Sequence, residues 1–365
     1  MATTRPRSNK ENKNETKLTT LYQIDMAPFY RQVSADLSLP VDPTFAAALD
    51  QKNTEHLATL DAKLKDAEAA AGETEISDAL IAKAEYLAKI GEKEKALSAF
   101  RIAYEKTPGV GAKIDLVFSQ LRIGLFFDDR VLIQQQLEKA KTLIEEGGDW
   151  DRRNRCKVYE ATYLMTQRDF STAAALFLET LATFTSTELM DMKEFVSYTV
   201  LMSVFSLPRP EIKAKLIESP EVLEVVHQVP HLDSYMRALY ECKYVEFFKT
   251  LAHMEQLLKH NYYLHAHYSY YVREMRVLGY AQLLESYRSL TLEYMASAFG
   301  VSVEFIDRDL YKFICAGRLN CVIDKVRGVV ETNRPDAKNA QYQQVIKQGD
   351  LLLNRVQKLS RVINI

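Results

Sequence analysis

Seven histidines and four cysteines are the side chains of this chain best suited to bind a metal or to attack a substrate. A zinc protease places two histidines around a glutamate as H-E-x-x-H, so that both ligands share one helix face. His56, His227, His231, His253, His260, His265 and His267 contain no such pair. The tightest pair, His265-x-His267, would need a serine and an aspartate at fixed distance to complete a hydrolytic zinc site. The chain instead continues Tyr268-Ser269-Tyr270-Tyr271-Val272 and reaches no aspartate before Asp307. Cys156, Cys242, Cys315 and Cys321 form no C-x-x-C and have no identifiable histidine partner, which reads as four reduced, buried thiols. There is no G-x-S-x-G elbow and no G-K-[ST] phosphate loop, so Gly147-Gly148 are punctuation at a helix end. These residues imply no catalytic site, no metal and no cofactor.

Composition agrees with a protein that works by shape. Across 365 residues, 47% hydrophobic and 26% charged are ordinary for a globular chain, while 12 Gly and 10 Pro are few enough to exclude collagen, low-complexity disorder and a turn-dense all-β fold. A net charge of −2 excludes a polycation that coats nucleic acid or anionic lipid. Residues 1–25 lack the hydrophobic core of a secretory signal and read as a charged, disordered tail. The longest apolar stretch, residues 195–207, is too short to cross a bilayer and predicts a buried helix, so no membrane partner is implied.

The elements that would position any function are helices. Residues 57–144 alternate charged and apolar faces at three- and four-residue spacing. Ala84, Leu87, Ala96, Phe100, Ala103 and Pro108 fall at the offsets of a tetratricopeptide-like unit, and Ala161, Leu164, Ala173 and Phe177 reproduce the first four of them. Leu121, Ile133, Leu137 and Ala140 give a degenerate copy between them. A small residue lets two antiparallel helices cross closely, and the aromatic four residues later fills the groove against the next pair. The spacing predicts a helical-repeat array over roughly residues 78–181, with residues 26–180 as a domain of N-terminal helices and these repeats; an irregular all-α bundle is the alternative.

After residue 285 the pattern changes. Leu290, Leu292, Tyr294, Met295, Ala298 and Phe299 predict a short helix, Gly300-Val301 a turn, and Ser302 the cap of a second helix burying Phe305, Ile306, Leu310, Phe313 and Ile314. Leu319, Cys321 and Ile323 alternate as a strand, followed by a second through Val330. Helix, turn, helix and ribbon is the order of a winged helix. The last segment spaces Val345, Gly349, Leu352, Val356, Leu359 and Ile363 by 4, 3, 4, 3 and 4, a heptad seam that either folds back or joins helices of neighbouring subunits. Lys338, Lys347, Arg355, Lys358 and Arg361 against Asp350 suit an acidic partner or serve solubility.

A winged helix invites a nucleic-acid reading, but its second helix sets Glu304, Asp307 and Asp309 against Arg308 and Lys312, the wrong sign for phosphate contact. The tyrosines Tyr262, Tyr263, Tyr268, Tyr270 and Tyr271 lack a basic surround and read as packing between helices.

Segments 145–155 (EEGGDWDRRNR), 271–276 (YVREMR), 283–292 (LLESYRSLTL), 330–336 (VETNRPD) and 349–364 (GDLLLNRVQKLSRVIN) resemble the PCI-domain subunits of the proteasome regulatory-particle lid, in register from about Met26 onward. The resemblance implies a mainly α fold: a tetratricopeptide-like helical-repeat array, a PCI domain over residues 181–335 (helical part 181–285, winged helix 286–335) and a bundle helix over 337–365. It also implies a non-enzymatic scaffold of cytoplasm and nucleus. Its partners would be other lid PCI subunits, a small acidic disordered subunit, the lid deubiquitinase and the ATPase base. By that analogy Leu319, Cys321 and Ile323 form a wing edge for a neighbour, and Val345, Leu352, Val356, Leu359 and Ile363 enter a helical bundle. A COP9 signalosome scaffold and an RNA-export PCI adaptor share this architecture.

Overall fold

The computed structural model describes residues 26–36, 43–70, 72–333 and 337–363; the tail of residues 1–25 and the break at Pro335 lie outside them. By contact density the chain divides into two units, one of residues 1–164 with 179–191 and one of residues 165–178 with 192–365.

The first unit is built from successive helices, among them α1 (Ala27–Asp36), α2 (Pro43–Ala70), α3 (Glu73–Ile90), α4 (Lys93–Lys106), α5 (Val110–Phe126), α6 (Arg130–Gly147) and the start of α7 (Trp150–Thr166). Ala84, Ala96, Phe100 and Ala103 are wholly buried and share one core with Leu87, Leu116 and Ile123. Leu121, Ile133, Leu137 and Ala140 are buried too, and the residue that lets α5 and α6 approach is Gly124, where an added Cβ would lie 2.9 Å from Ile133 Cγ1. Gly124→Ala is therefore expected to cost about 1–3 kcal/mol through overpacking, readable as a lower denaturation midpoint.

Four of the helix-to-helix turns close on the same backbone device. Gly91, Asp128, Arg168 and Cys242 all have positive φ, each stands two residues before a helix, and their turns return amides to the preceding helix, as in Glu92 N–H to Leu87 O at 3.2 Å and Asp129 N–H to Gly124 O at 3.0 Å. Asp129 then caps α6 by accepting from Leu132 N–H at 3.2 Å and binds the Lys93 ammonium at 2.6 Å; the lysine and that amide hold its carboxyl below the ordinary range.

Of segment 145–155, Arg152, Asn154 and Arg155 turn inward, while Glu145, Glu146, Asp149 and Arg153 stay exposed. Asp115 accepts from Arg152 Nη2 at 2.7 Å and Arg155 Nη1 at 3.0 Å, Arg155 forks onto Glu188, and Tyr159 OH donates to Glu188 at 2.9 Å. Trp150 stays 63% exposed.

In the second unit, α8 (Phe170–Thr180), α9 (Met192–Ser206), α10 (Pro220–Val226), α11 (Leu232–Tyr240), α12 (Tyr244–His260) and α13 (Tyr268–Ser286) precede the winged helix. Ala173 and Phe177 are wholly buried here, as Ala161 is in the first unit. The tyrosine-rich segment divides: Tyr271 is buried, with its hydroxyl 2.9 Å from that of Tyr235 and donating to Leu201 O, whereas Tyr262 is exposed, contrary to the packing expected of it.

Candidate assembly surfaces

The winged helix runs β1 (Ser289–Thr291), α14 (Leu292–Phe299), α15 (Val303–Cys315), β2 (Cys321–Asp324) and β3 (Val329–Thr332), with an antiparallel sheet in the order β1-β3-β2. Two expectations are corrected. Leu290 lies in β1 and not in the helix, because Thr291 accepts from Tyr294 N–H and starts α14 one residue later; the strand is too short to show alternation. Phe305 is exposed beside the Arg276 guanidinium and not buried with Ile306, Leu310 and Phe313. Ser302 caps α15 by accepting from Phe305 N–H, and Gly300 turns the chain in the left-handed conformation.

Register determines what each edge offers. Asn333 N–H bonds Asn320 O, and the pairing Val322 with Glu331 and Asp324 with Val329 follows in step, so the main-chain groups of Cys321 and Ile323 point away from β3 to the open edge. Their side chains do something else. Leu319, just ahead of the strand, and Cys321 are buried in the domain's own core and Ile323 packs against it, while Val322 faces outward at 54% exposed. A neighbour would therefore meet main chain and Val322, a residue sequence reading passed over because its attention was on the alternate set.

The charge argument about α15 also gains a physical cause. Asp309 is buried against Arg276 at 2.7 Å, and Asp307 binds Lys325 of the β2–β3 turn at 3.0 Å. What α15 shows to solvent is Glu304, Arg308 and Lys312 among Val303, Phe305 and Tyr311, a mixed surface with no basic row.

Segment 271–276 is a polar latch between α13 and the winged helix. Glu274, 6% exposed at its side chain, is bonded by Arg318 and lies 3.5 Å from Arg273, and Arg276 reaches Asp309. A buried carboxylate is tolerated only when so paired.

The last helix, α16 (Ala337–Ile363), is the opposite case. Val345, Leu352, Val356, Leu359 and Ile363 are each more than half exposed. Tyr342, Ile346 and Leu353, which the heptad reading left out, are exposed on the same side and widen the stripe beyond the about 100° that faces a core. An arc of that width suits contact with more than one helix, where a strict seam suits a two-stranded coil.

Of the chemistry-bearing residues, His231 and His253 come together as a stacked pair with ring centroids 4.3 Å apart, and others are tied up singly. His267 accepts from Arg168 Nε at Nδ1, 2.9 Å, and its Nε2 is 2.7 Å from Thr166 O; His265 Nδ1 is 2.8 Å from Tyr262 O. Among the described residues no group of three or more His, Cys, Asp or Glu is placed to hold a metal. The four cysteines are free, but only Cys156 and Cys321 are buried as expected: Cys242 is half-buried and Cys315 is exposed near the end of α15; burial pushes the Cys156 thiol up to about 12. A cavity of about 220 Å³ is walled mainly by apolar side chains, Leu201, Met254, Leu257 and Leu264 among them, with Asn261 donating to Tyr198 OH and with Lys193, Glu194 and Ser197 also on its lining. Among the described residues no helix is long and apolar enough to cross a membrane.

Helical hairpins leading to a winged helix, an open sheet edge and a solvent-facing apolar helix define a PCI-type helical scaffold, mainly α in fold. The PCI domain description matches residues 230–334, the description 26S proteasome subunit RPN7 matches residues 42–215, and that of the 26S proteasome regulatory subunit RPN7/PSMD6 C-terminal helix matches residues 341–363. The 26S proteasome non-ATPase regulatory subunit 6 of Oryza sativa is 50% identical over 341 residues, 93% of this chain and 88% of the relative. The 26S proteasome regulatory subunit rpn7 of Schizosaccharomyces pombe is 46% identical over 365 residues, 97% and 92% of the two chains. The COP9 signalosome complex subunit 1 of Arabidopsis thaliana is 24% identical over 163 residues, 45% of this chain and 37% of the relative. The chain belongs to the family of the 26S proteasome regulatory subunit RPN7, also called non-ATPase regulatory subunit 6.

Proposed function

We propose that this chain is a non-catalytic scaffold of the proteasome regulatory-particle lid, acting in ubiquitin-dependent degradation by holding neighbouring lid subunits in register. The observation that carries the reading is α16, whose apolar arc is turned wholly to solvent in the free chain. An exposed stripe of that extent is an interaction site or an aggregation liability. On this reading the array of residues 26–180 presents surface to neighbours, and the PCI region 181–335 lines up with other PCI subunits through Cys321 and Ile323 of its wing edge. The bundle helix of residues 337–365 joins sister helices. A small acidic disordered subunit, the lid deubiquitinase and the ATPase base complete the set of partners, in cytoplasm and nucleus, with no nucleic acid and no membrane involved.

Affinity purification of the tagged chain from cells, with identification of the co-purifying chains, tests the reading: lid and base subunits should be recovered together. Recovery of COP9 signalosome subunits in their place would favour the paralogous scaffold, which the partial likeness to its subunit 1 keeps in view. Salt-sensitive recovery of RNA would favour an export adaptor. For the edge itself, Ile323→Pro removes an outward N–H while sparing the β2–β3 ladder, at a cost of about 1–2 kcal/mol from lost packing and fixed φ. The isolated variant is expected to keep its circular dichroism and to lose the PCI neighbour in co-purification. Retention of that neighbour at normal yield would mean that the edge does not pair.

A further inference from the structure

From Ala337 to Ile363, α16 carries a single Ser or Thr, Ser360, and it is exposed like the residues around it. At 3.6 residues per turn Ser360 stands about 40° from Val356, inside the apolar arc bounded by Leu359 on one side and Ile346 on the other. On a contact face a serine can simply let two helices approach, its hydroxyl returned to the carbonyl four residues earlier. The charges around this one are not neutral to its role. Arg355, Lys358 and Arg361 surround Ser360 with no carboxylate between them, and Asp350 is the one acid of the helix, ten residues before the serine. Ser360 also lies three residues from the end of α16, where a helix without tertiary cover opens readily into the extended form that an enzyme's substrate groove accepts.

We propose that Ser360 is a phosphorylation site for a serine/threonine protein kinase that selects basic substrates, and that the phosphate keeps the free chain out of the helical bundle. The step is transfer of the γ-phosphoryl group of ATP. The bond from Ser360 Oγ to phosphorus forms, the bond from phosphorus to the bridging oxygen breaks with its electron pair leaving on ADP, and the kinase's base takes the hydroxyl proton. The product carries about two negative charges at neutral pH. They have no cation of their own to meet: the helical positions one turn away are Val356, Gln357 and Ile363. They also stand at the negative end of the helix dipole, which weakens the last turn. In water the phosphate is tolerated, whereas within the arc it would be driven against apolar side chains unpaired. Such a switch presupposes the bundle contact of α16 proposed above and adds its control.

The test is phosphopeptide mass spectrometry on the tagged full chain from cells, with phosphatase inhibitors present, taken separately from the free pool and from the particle-bound pool. Phosphate on Ser360 is expected in the free pool at an occupancy about tenfold or more above that of the bound pool. Ser360→Asp should lower incorporation by about tenfold or more, and Ser360→Ala should incorporate normally. Asn354→Asp adds the same charge on an exposed position about 160° from Val356 and should also incorporate normally, which separates the arc from a general effect of charge. The unaltered protein carries the occupancy measurement, so a misfolded variant would not hide the answer. Absence of phosphate from Ser360 in the free pool, equal occupancy in the two pools, or incorporation of Ser360→Asp at the level of Asn354→Asp would each overturn the proposal. A chain with Leu352→Asp and Leu359→Asp tells the two readings apart. If it is excluded while Ser360→Asp is accepted, the bundle contact stands and the switch falls; if both are accepted, the bundle contact falls as well.

Discussion

Changing Leu352 and Leu359 together to Asp should leave the free chain folded, with an unaltered thermal midpoint in the body of the protein, and remove it from the assembled particle. In the free chain these side chains are 66% and 59% exposed, so their loss forfeits almost no buried area. The local cost is helix propensity, about 0.7 kcal/mol or less per Asp, felt only in α16. In a bundle the balance reverses. Each leucine would lose about 1.5–3 kcal/mol of burial, and each carboxylate driven into an apolar interface without a partner adds a desolvation cost of similar or larger size. A combined loss of roughly 4 kcal/mol or more is about a thousandfold in association. Leu351→Asp with Val362→Asp supplies the comparison: both residues are exposed, but at 3.6 residues per turn they fall on the side opposite Val356 and Gly349. That pair should incorporate normally. Native mass spectrometry of purified particles reads both outcomes, and incorporation of the Leu352/Leu359 variant at the usual stoichiometry would defeat the view that this arc is the bundle contact.

How much of this was legible in the sequence depends on whether a residue's role is local. The helical character of the first unit and its small-residue contacts could be read because alanines at a crossing and a phenylalanine in a groove are periodic; Ala84, Ala96 and Phe100 do share one core. The left-handed turns could not, because only Gly91 of the four announces itself, while Asp128, Arg168 and Cys242 take the same backbone conformation with ordinary side chains. The α16 seam was visible from spacing, yet its full width was not, since Tyr342, Ile346 and Leu353 count only once the helix is known to have no cover. Strand β1 was hidden because a three-residue strand paired across about forty residues leaves no period of two to detect. The wing edge was found by alternation, but alternation selects the residues that face the core. The outward main chain of Cys321 and Ile323 emerges only from the register. The acidic look of α15 was real in composition and misleading on the surface, because Asp307 and Asp309 are each committed to a cation from another element.

That last commitment yields the second large effect. Arg276→Ala should open the winged helix from α13. Asp309 is 7% exposed, its Oδ2 receives Arg276 Nη1 at 2.7 Å, and removing the guanidinium strands a charge in the core. Losing one partner of a buried pair costs about 3–5 kcal/mol, and the lower end applies here because Arg276 is itself a quarter exposed and water can enter the space it leaves. Tyr280, one turn along α13, has a buried hydroxyl beside Asp309, and burial, then the Asp309 carboxylate, pushes its pKa up. This hydroxyl is the group placed to offer Asp309 a substitute donor. Arg276→Ala should therefore be worsened by adding Tyr280→Phe and partly rescued by Asp309→Asn, which trades the stranded charge for an amide of the same shape. The coupling between positions 276 and 309 in a double-mutant cycle should come out at about 1–3 kcal/mol. Hydrogen exchange is the suitable readout, because the opening is local: amides of α15 should exchange on the order of a hundredfold faster, while those of α4 and α5 keep their protection. If α15 exchange is unchanged, Asp309 is not held by Arg276 and the latch does not position the wing. If it rises and the wing-edge neighbour is lost with it, the polar pairs of segment 271–276 are what keep the open strand in the orientation that a second PCI subunit must meet.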